Sequence, residues 1–428
     1  MSAALAIVIF AVAFFFIATE KANKTAVALI AAGVMAVTGL IPGSEVFFSE
    51  HEGIDWNVIF LLLGMMIIVG VVKQTGLFDY LGIWAAKKSR GKPYRLMVLL
   101  MAITAIASPI LDNVTIIMLV VPVTIVVCNR LGIPAQPYLI AEILASNIGG
   151  AATLIGDPPN IIIASRAGLS FNDFLIHMTP IVIVIFGAFV LLTRVLFRKS
   201  FVYNPDRVAA VMVLQERRAI TDPRLLVRCM VVLGLVIIGF CLHAVVDVEP
   251  SIVALVGAGV MLLVSGLDIS DVLNEVEWPT LVFFMGLFVM VAGLSHTGVI
   301  SDVGSWVVDT VGQNYFGAAS ALVFGSAILG AFFDNIPYTA TMAPIVEGLV
   351  AQSPDPATGE ALWWAFALGA DFGGNGTAIA ASANVVAIGL AARAGHNISF
   401  WQFTKYGIFV TILSSVMALA YVGLRYFM

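Results

Sequence analysis

Apolar residues in this chain come in runs of roughly 17–22 positions divided by short polar stretches, the length a helix needs to cross a bilayer. A window of about 19 residues predicts spanning helices at roughly 3–18, 25–42, 57–73, 137–164, 177–197, 225–246, 251–267, 279–296, 362–391 and 405–427. Two further stretches, 95–128 and 317–351, each divide into two arms of roughly 16 residues, broken at Pro109-Ile110-Leu111-Asp112-Asn113 and Asp334-Asn335-Ile336-Pro337. Arms that short, turning on a charged residue, are expected to be re-entrant hairpins, because backbone left open in hydrocarbon must line a cavity or be buried in protein. The first run lacks the basic flank and small-residue cleavage pattern of a signal peptide, so it reads as a span.

The pattern then repeats. Asp55-Trp56 recurs as Glu277-Trp278, Gly64 as Gly286, Thr75-Gly76 as Thr297-Gly298, Asp112-Asn113 as Asp334-Asn335 and Pro122 as Pro344, all 222 positions later. Two residues of slippage further on, Gly149-Gly150 recurs as Gly373-Gly374, Thr153 as Thr377 and Asn160 as Asn384. The expected organisation is a first repeat over 1–197, a linker over 198–224 and a second repeat over 225–428. Five spans and one hairpin per copy make an odd number of crossings, so the second copy enters the bilayer upside down. Inverted repeats with broken helices are the architecture of secondary transporters.

Composition agrees with a membrane protein: of 428 residues, 61% are hydrophobic and 11% charged, against about 25% charged in soluble domains. A net charge of −5 leaves no basic footprint for nucleic acid. Cys128, Cys229 and Cys241 lie in apolar stretches without metal-ligand spacing, so neither a metal nor a cofactor is expected. Where the charges sit is more informative. With both termini outside, 19 of the 21 basic residues fall on the cytoplasmic side, Lys24 and the 198–224 linker among them, and only Arg166 and Arg425 outside. The acidic loop of Glu45, Glu50, Glu52 and Asp55 lies outside, and the location expected is a bacterial inner membrane.

An ionisable residue at membrane depth marks function. Asp112 and Asp334 sit at the hairpin breaks, and Asp157 and Asp371 in the two broken spans. Glu142 and Glu347 read as interface-facing carboxylates. Asn113 and Thr115 open one returning arm and Asn335 the other, so free N–H groups and positive helix ends point at each break. Pro158 and Pro159 keep the span holding Asn147, Thr153, Asp157 and Asn160 from running straight, and in its counterpart glycines surround Asn375, ahead of Thr377 and Asn384. Unwound carbonyls, amides and hydroxyls there suit a small solute or cation. Enzymatic chemistry is not expected: His51-Glu52-Gly53-Ile54-Asp55 misses the zinc-protease pattern, and there is no phosphate-binding loop. A channel needs no inverted repeat.

Asp112-Asn113-Val114-Thr115, the run Asn147 to Asn160 with its Gly-Asp-Pro-Pro-Asn ending, and their second-half partners resemble the ion transporter superfamily. Within it they are similar to the branch of arsenite/antimonite permeases (ArsB), NhaD-type sodium/proton antiporters and the melanosomal P protein. The resemblance implies an all-α elevator carrier, usually a homodimer. Its scaffold would be spans 1–90 and 225–296, its transport core 93–164 and 317–391, and its last spans 177–197 and 405–427. Dicarboxylate carriers of the superfamily have Ser-Asn-Thr at both tips; here carboxylates stand there. Four aspartates with no Lys or Arg in the predicted core disfavour organic anions. Arsenite efflux against protons is expected on overall likeness, with sodium/proton antiport as the alternative. Asp112, Asp334, Asp157 and Asp371 are the candidate proton carriers, and a soluble ATPase subunit at the basic linker is a further partner to consider.

Overall fold

The computed structural model describes residues 2–19, 21–48, 53–213, 215–311 and 314–428; Glu50, His51 and Glu52 lie outside these. Among the described residues the regular elements are helical. The first half runs α1 (Ser2–Thr19), α2 (Lys24–Val37), α3 (Gly43–Phe48), α4 (Trp56–Gln74), α5 (Leu77–Ser89), α6 (Pro93–Leu111), α7 (Asn113–Leu131), α8 (Gln136–Gly150), α9 (Pro158–Ala167), α10 (Phe171–His177) and α11 (Thr179–Leu196). After α12 (Pro205–Met212) in the linker, the order recurs. It runs α13 (Pro223–Val246), α14 (Pro250–Ser265), α15 (Ile269–Leu273), α16 (Trp278–His296), α17 (Val299–Val311), α18 (Tyr315–Phe332), α19 (Asn335–Val350), α20 (Pro356–Gly373), α21 (Ser382–Arg393) and α22 (Phe400–Val422). Only α10 lacks a counterpart among these elements.

Local chemistry sets many of these boundaries. Asp55 caps α4, Asp222 α13, Asp355 α20 and Ser399 α22 by accepting from first-turn amides. Proline occupies the first turn of α6, α9, α13, α14 and α20, where its missing donor costs nothing. Three of the four hairpin arms are longer than the sequence pattern predicts, α6 and α7 with 19 residues each and α18 with 18, while α19 has the expected 16. Pro109 does not end its arm. It is accommodated within α6, which runs on to Leu111. The amphipathic α5 and α17, 13 residues each, were not predicted as elements because they are too short and too polar to register as spans.

The halves interlock. α4 packs on α14 and α16 on α2, so the third span of each half lies along the second span of the other. Both contacts depend on glycine: a Cβ at Gly64 would come within 2.7 Å of the Ala254 backbone, and one at Gly286 within 2.9 Å of the Ala28 backbone. The returning hairpin arms cross over too, α7 onto α21 and α19 onto α9. At the centre α8, α9 and α20 are buried along almost their whole length, whereas α1, α11 and α13 expose large apolar side chains. In the linker, Lys87 on α5 donates to Glu216 at 2.6 Å, and the Thr221 amide donates to the Thr75 carbonyl at 3.1 Å.

Candidate functional site

Both hairpin tips and both helix breaks converge at the crossing of the two halves. At the first tip a single residue, Asp112, separates α6 from α7 and adopts φ 56°, ψ 156°. A non-glycine residue held there costs about 1–3 kcal/mol. The side chain offsets this by closing a cap: Oδ1 accepts from the Val114 and Thr115 amides at 2.9 Å each, and Oδ2 accepts from the Thr115 hydroxyl at 2.6 Å. Thr115 therefore serves the turn. The next residue, Asn113, faces the break of α8–α9 and donates from Nδ2 to Asp157 Oδ2 at 2.8 Å. Ser108 and Ser146 bind this tip to α8, Ser108 Oγ donating to the Ser146 carbonyl and Ser146 Oγ to that of Asn113.

The second tip is built differently. Asp334 has an ordinary φ of −55° and caps the Ile336 amide. Its Oδ2 accepts from Lys24 Nζ at 3.1 Å and from Ser382 Oγ at 3.1 Å. Lys24 also donates to Ser382 Oγ at 2.9 Å and lies over the Phe283 ring. This overturns one sequence expectation: Lys24, read as a cytoplasmic flanking charge, brings an ammonium group to the second tip, so the site is not without a basic residue. A lysine at the start of an apolar run gives no sign that it points at an aspartate 310 positions away.

Both breaks share one scheme. Asn160 Nδ2 donates to the Thr153 carbonyl at 3.0 Å, and Asn384 Nδ2 to the Thr377 carbonyl at 2.9 Å. The Thr153 hydroxyl donates to the Pro109 carbonyl, and that of Thr377 to the Ala331 carbonyl, so each break is tied to its own hairpin. α8 already ends at Gly150, with Pro158 and Pro159 forming the first turn of α9 rather than interrupting a continuous helix. Gly149 is a close-packing position, where a Cβ would meet the Ala105 carbonyl oxygen at 2.4 Å.

Asn147 joins the halves, its Nδ2 donating to Asn384 Oδ1 at 3.0 Å, Asn375 Oδ1 at 3.2 Å and the Gly374 carbonyl at 3.3 Å. The Asn335 amide donates to the Ala380 carbonyl at 3.0 Å. Several buried polar atoms here have no hydrogen-bond partner: the acceptors Asn113 Oδ1, Asn147 Oδ1, Asn160 Oδ1 and both Asp371 oxygens, and the donors Asn335 Nδ2 and Asn375 Nδ2. Orphaned groups in this number are rare in packed interiors.

The two glutamates separate. Glu347 is half-exposed and lies 3.7 Å from Arg166. Glu142, read from sequence as interface-facing, is instead buried between α7 and α8, its Oε1 accepting from Thr124 at 2.9 Å. Its other oxygen, Oε2, has no hydrogen-bond partner.

Known proteins agree with this architecture. An uncharacterized transporter of Mycobacterium tuberculosis is 52% identical over 99% of this chain and 98% of its own length, and the 46 kDa membrane protein of Mycobacterium leprae is 51% identical over the same shares. The pig P protein is 32% identical over 97% of this chain and 59% of its own length. Among solved structures, the Alcanivorax borkumensis YdaH transporter matches with a TM-score of 0.59 at 15% identity, over 92% of this chain and 88% of its own. Neisseria gonorrhoeae MtrF, described as illuminating a class of antimetabolite efflux pumps, matches with a TM-score of 0.62 at 15% identity, over 93% and 85%. Likeness at that identity concerns the fold. The match of the citrate transporter family model, CitMHS, over residues 14–369 agrees with the relatives in sequence: this chain is a multi-pass membrane transporter belonging to the CitMHS family.

Proposed function

We propose that this transporter is an elevator-type secondary carrier that exports arsenous acid in exchange for protons. The observation that carries this reading is the set of buried acceptors without donors at Asn113, Asn147 and Asn160. Arsenous acid is neutral near pH 7 and presents three hydroxyl donors to such oxygens. A sodium ion, which prefers carboxylate and amide oxygens, is the second reading, favoured by the unpartnered Asp371 carboxylate. Citrate, named by the family, would meet four aspartates and one lysine, and needs accompanying cations to enter.

The two halves are inverted in the membrane and both termini are non-cytoplasmic. Support comes from pairs that join loops assigned to the same side: Lys73 with Glu275 and Lys87 with Glu216 on the cytoplasmic face, Glu45 with His296 and Arg166 with Glu347 on the other. Reconstituted protein under an imposed pH gradient tests the function. Saturable, counterflowing arsenite transport is expected; sodium flux without arsenite flux selects the second reading, and transport of citrate alone overturns both.

A further inference from the structure

The two hairpin tips are equivalent in the repeat, yet the donors that satisfy their aspartates come from opposite places. At the first tip Thr115, three residues along, gives Asp112 both an amide and a hydroxyl. Its counterpart 222 positions later is Pro337, which has neither. At the second tip the further donors are Ser382, the first residue of α21, and Lys24, the first residue of α2. Their equivalents in the first half are also prolines. Pro158 opens α9, 224 positions before Ser382, and Pro250 opens α14 as Lys24 opens α2. Two contacts fix that last register: Thr25 donates to the Pro279 carbonyl as Ser251 donates to Asn57, and Ala28 lies against Gly286 as Ala254 lies against Gly64. The tip with proline in place of its local donor thus has two distant donors, and the tip with local donors has proline at both distant positions.

We propose that Lys24 is a built-in counter-ion for the second tip, its ammonium filling the place where Asp334 would otherwise draw a small cation from solution. Nζ lies 3.1 Å from Asp334 Oδ2 and 2.9 Å from Ser382 Oγ, against the Phe283 ring, and Ser382 in turn donates to Asp334. A carboxylate, a hydroxyl and an aromatic face together suit a small monovalent cation. The Asp334 side chain is only 13% exposed and that of Lys24 36%, so the carboxylate is largely withdrawn from water while the slot stays reachable from solution. Glu277, at the start of α16, is another carboxylate within electrostatic reach of Lys24, and its Oε2 accepts from Thr280. Asp112 and Asp157 extend the negative field. Without Lys24 a mostly buried carboxylate would stand uncompensated there, which is strongly unfavourable. The consequence for transport rests on the elevator reading above: α2 belongs to the fixed scaffold and Asp334 and Ser382 to the moving core, so Lys24 ties the two together with no ion from solution at that tip.

Chemical rescue of the full chain in detergent tests this without any substrate. Lys24→Ala empties the slot and leaves the α2 cap, which Asn23 makes. Its unfolding temperature should lie below that of the wild type. It should rise by about 2 °C or more when ethylammonium replaces an equal concentration of tetramethylammonium, which has no N–H to donate. Wild type and Lys24→Arg should not respond. The response should vanish in Lys24→Ala/Asp334→Asn and persist in Lys24→Ala/Glu277→Gln. A Lys24→Ala protein indifferent to ethylammonium, or a response that is lost with Glu277 rather than Asp334, overturns the proposal. Should Lys24→Ala not fold, Lys24→Ala/Asp334→Asn must, because the uncompensated carboxylate is gone; failure of both overturns it equally. In vesicles, arsenite or sodium flux should fall about tenfold or more in Lys24→Ala and recover with ethylammonium on both sides, and full flux without it also overturns the proposal. A wild-type protein inert to both transport probes counts against the carrier reading alone, because the rescue of stability stands apart from it.

Discussion

Asn147 and Asn113 were expected to play the same part, lining a solute, yet their bonding differs. Asn147 donates three hydrogen bonds across the two halves, and Asn113 donates one, to Asp157. Truncating Asn147 leaves the Asn375 and Asn384 oxygens without a donor, while the Gly374 carbonyl keeps the one from Asn384 Nδ2; each orphaned buried group costs roughly 1–3 kcal/mol. Asn147→Ala is therefore expected to lower the unfolding temperature in detergent well below that of Asn113→Ala, which should fold and lose affinity instead. Equal unfolding temperatures would mean that Asn147 does not tie the halves together. The asparagines were legible in the sequence because they repeat at a fixed offset within apolar surroundings. Lys24 was not, since its role depends on where the start of α2 lies relative to Asp334 and Ser382.

At the scale of elements, breaks were easier to read than lengths. Carboxylates and prolines at membrane depth announce a break, but the residue at which a helix ends is decided by tertiary bonds such as that from Thr153 to the Pro109 carbonyl. The linker is docked by similar bonds. Its Glu216 carboxyl is held below its usual range by the hydrogen bond from Lys87. For a depressed carboxylate the native bond contributes fully above the ordinary value of 4.5 and is lost as pH falls through the folded-state value. A spin label at Val213→Cys, in a background without native cysteines, should become more mobile as the pH is lowered through the acid range below the ordinary glutamate value. Glu216→Gln should make it mobile at pH 7 as well. Mobility independent of pH would place the docking elsewhere, at Thr221 and its bonds to Gln74 and Thr75.

For the whole molecule, the question is which way it sits in the bilayer. Exposed apolar side chains such as Val195 at 73% and Leu263 at 85% face outward on α11 and α14, as a lipid-facing surface requires. Nine helices among the described residues are long and apolar enough to cross. A phosphatase fused after Met428 is expected to be active outside the cytoplasm, and a fluorescent protein fused there dark. The opposite pattern would invert the orientation and place the linker outside.

Some of this protein was determined by its sequence alone. Apolar runs of bilayer length, a repeat at one offset and carboxylates inside apolar segments specify an all-helical membrane carrier, because each is a local property that the bilayer enforces on backbone and charge. Which atoms meet at the crossing was decided only by the tertiary structure. Asp112 and Asp334 are equivalent in the repeat, yet one is absorbed by its own turn and the other by Lys24 of a distant helix. Asp371 and Asn147 are likewise equivalent in the repeat, yet the amide finds three acceptors in the other half and the carboxylate only the Asn160 side chain beside it. Hydrogen bonding depends on what faces a group across the interface, and that partner comes from the other half of the chain.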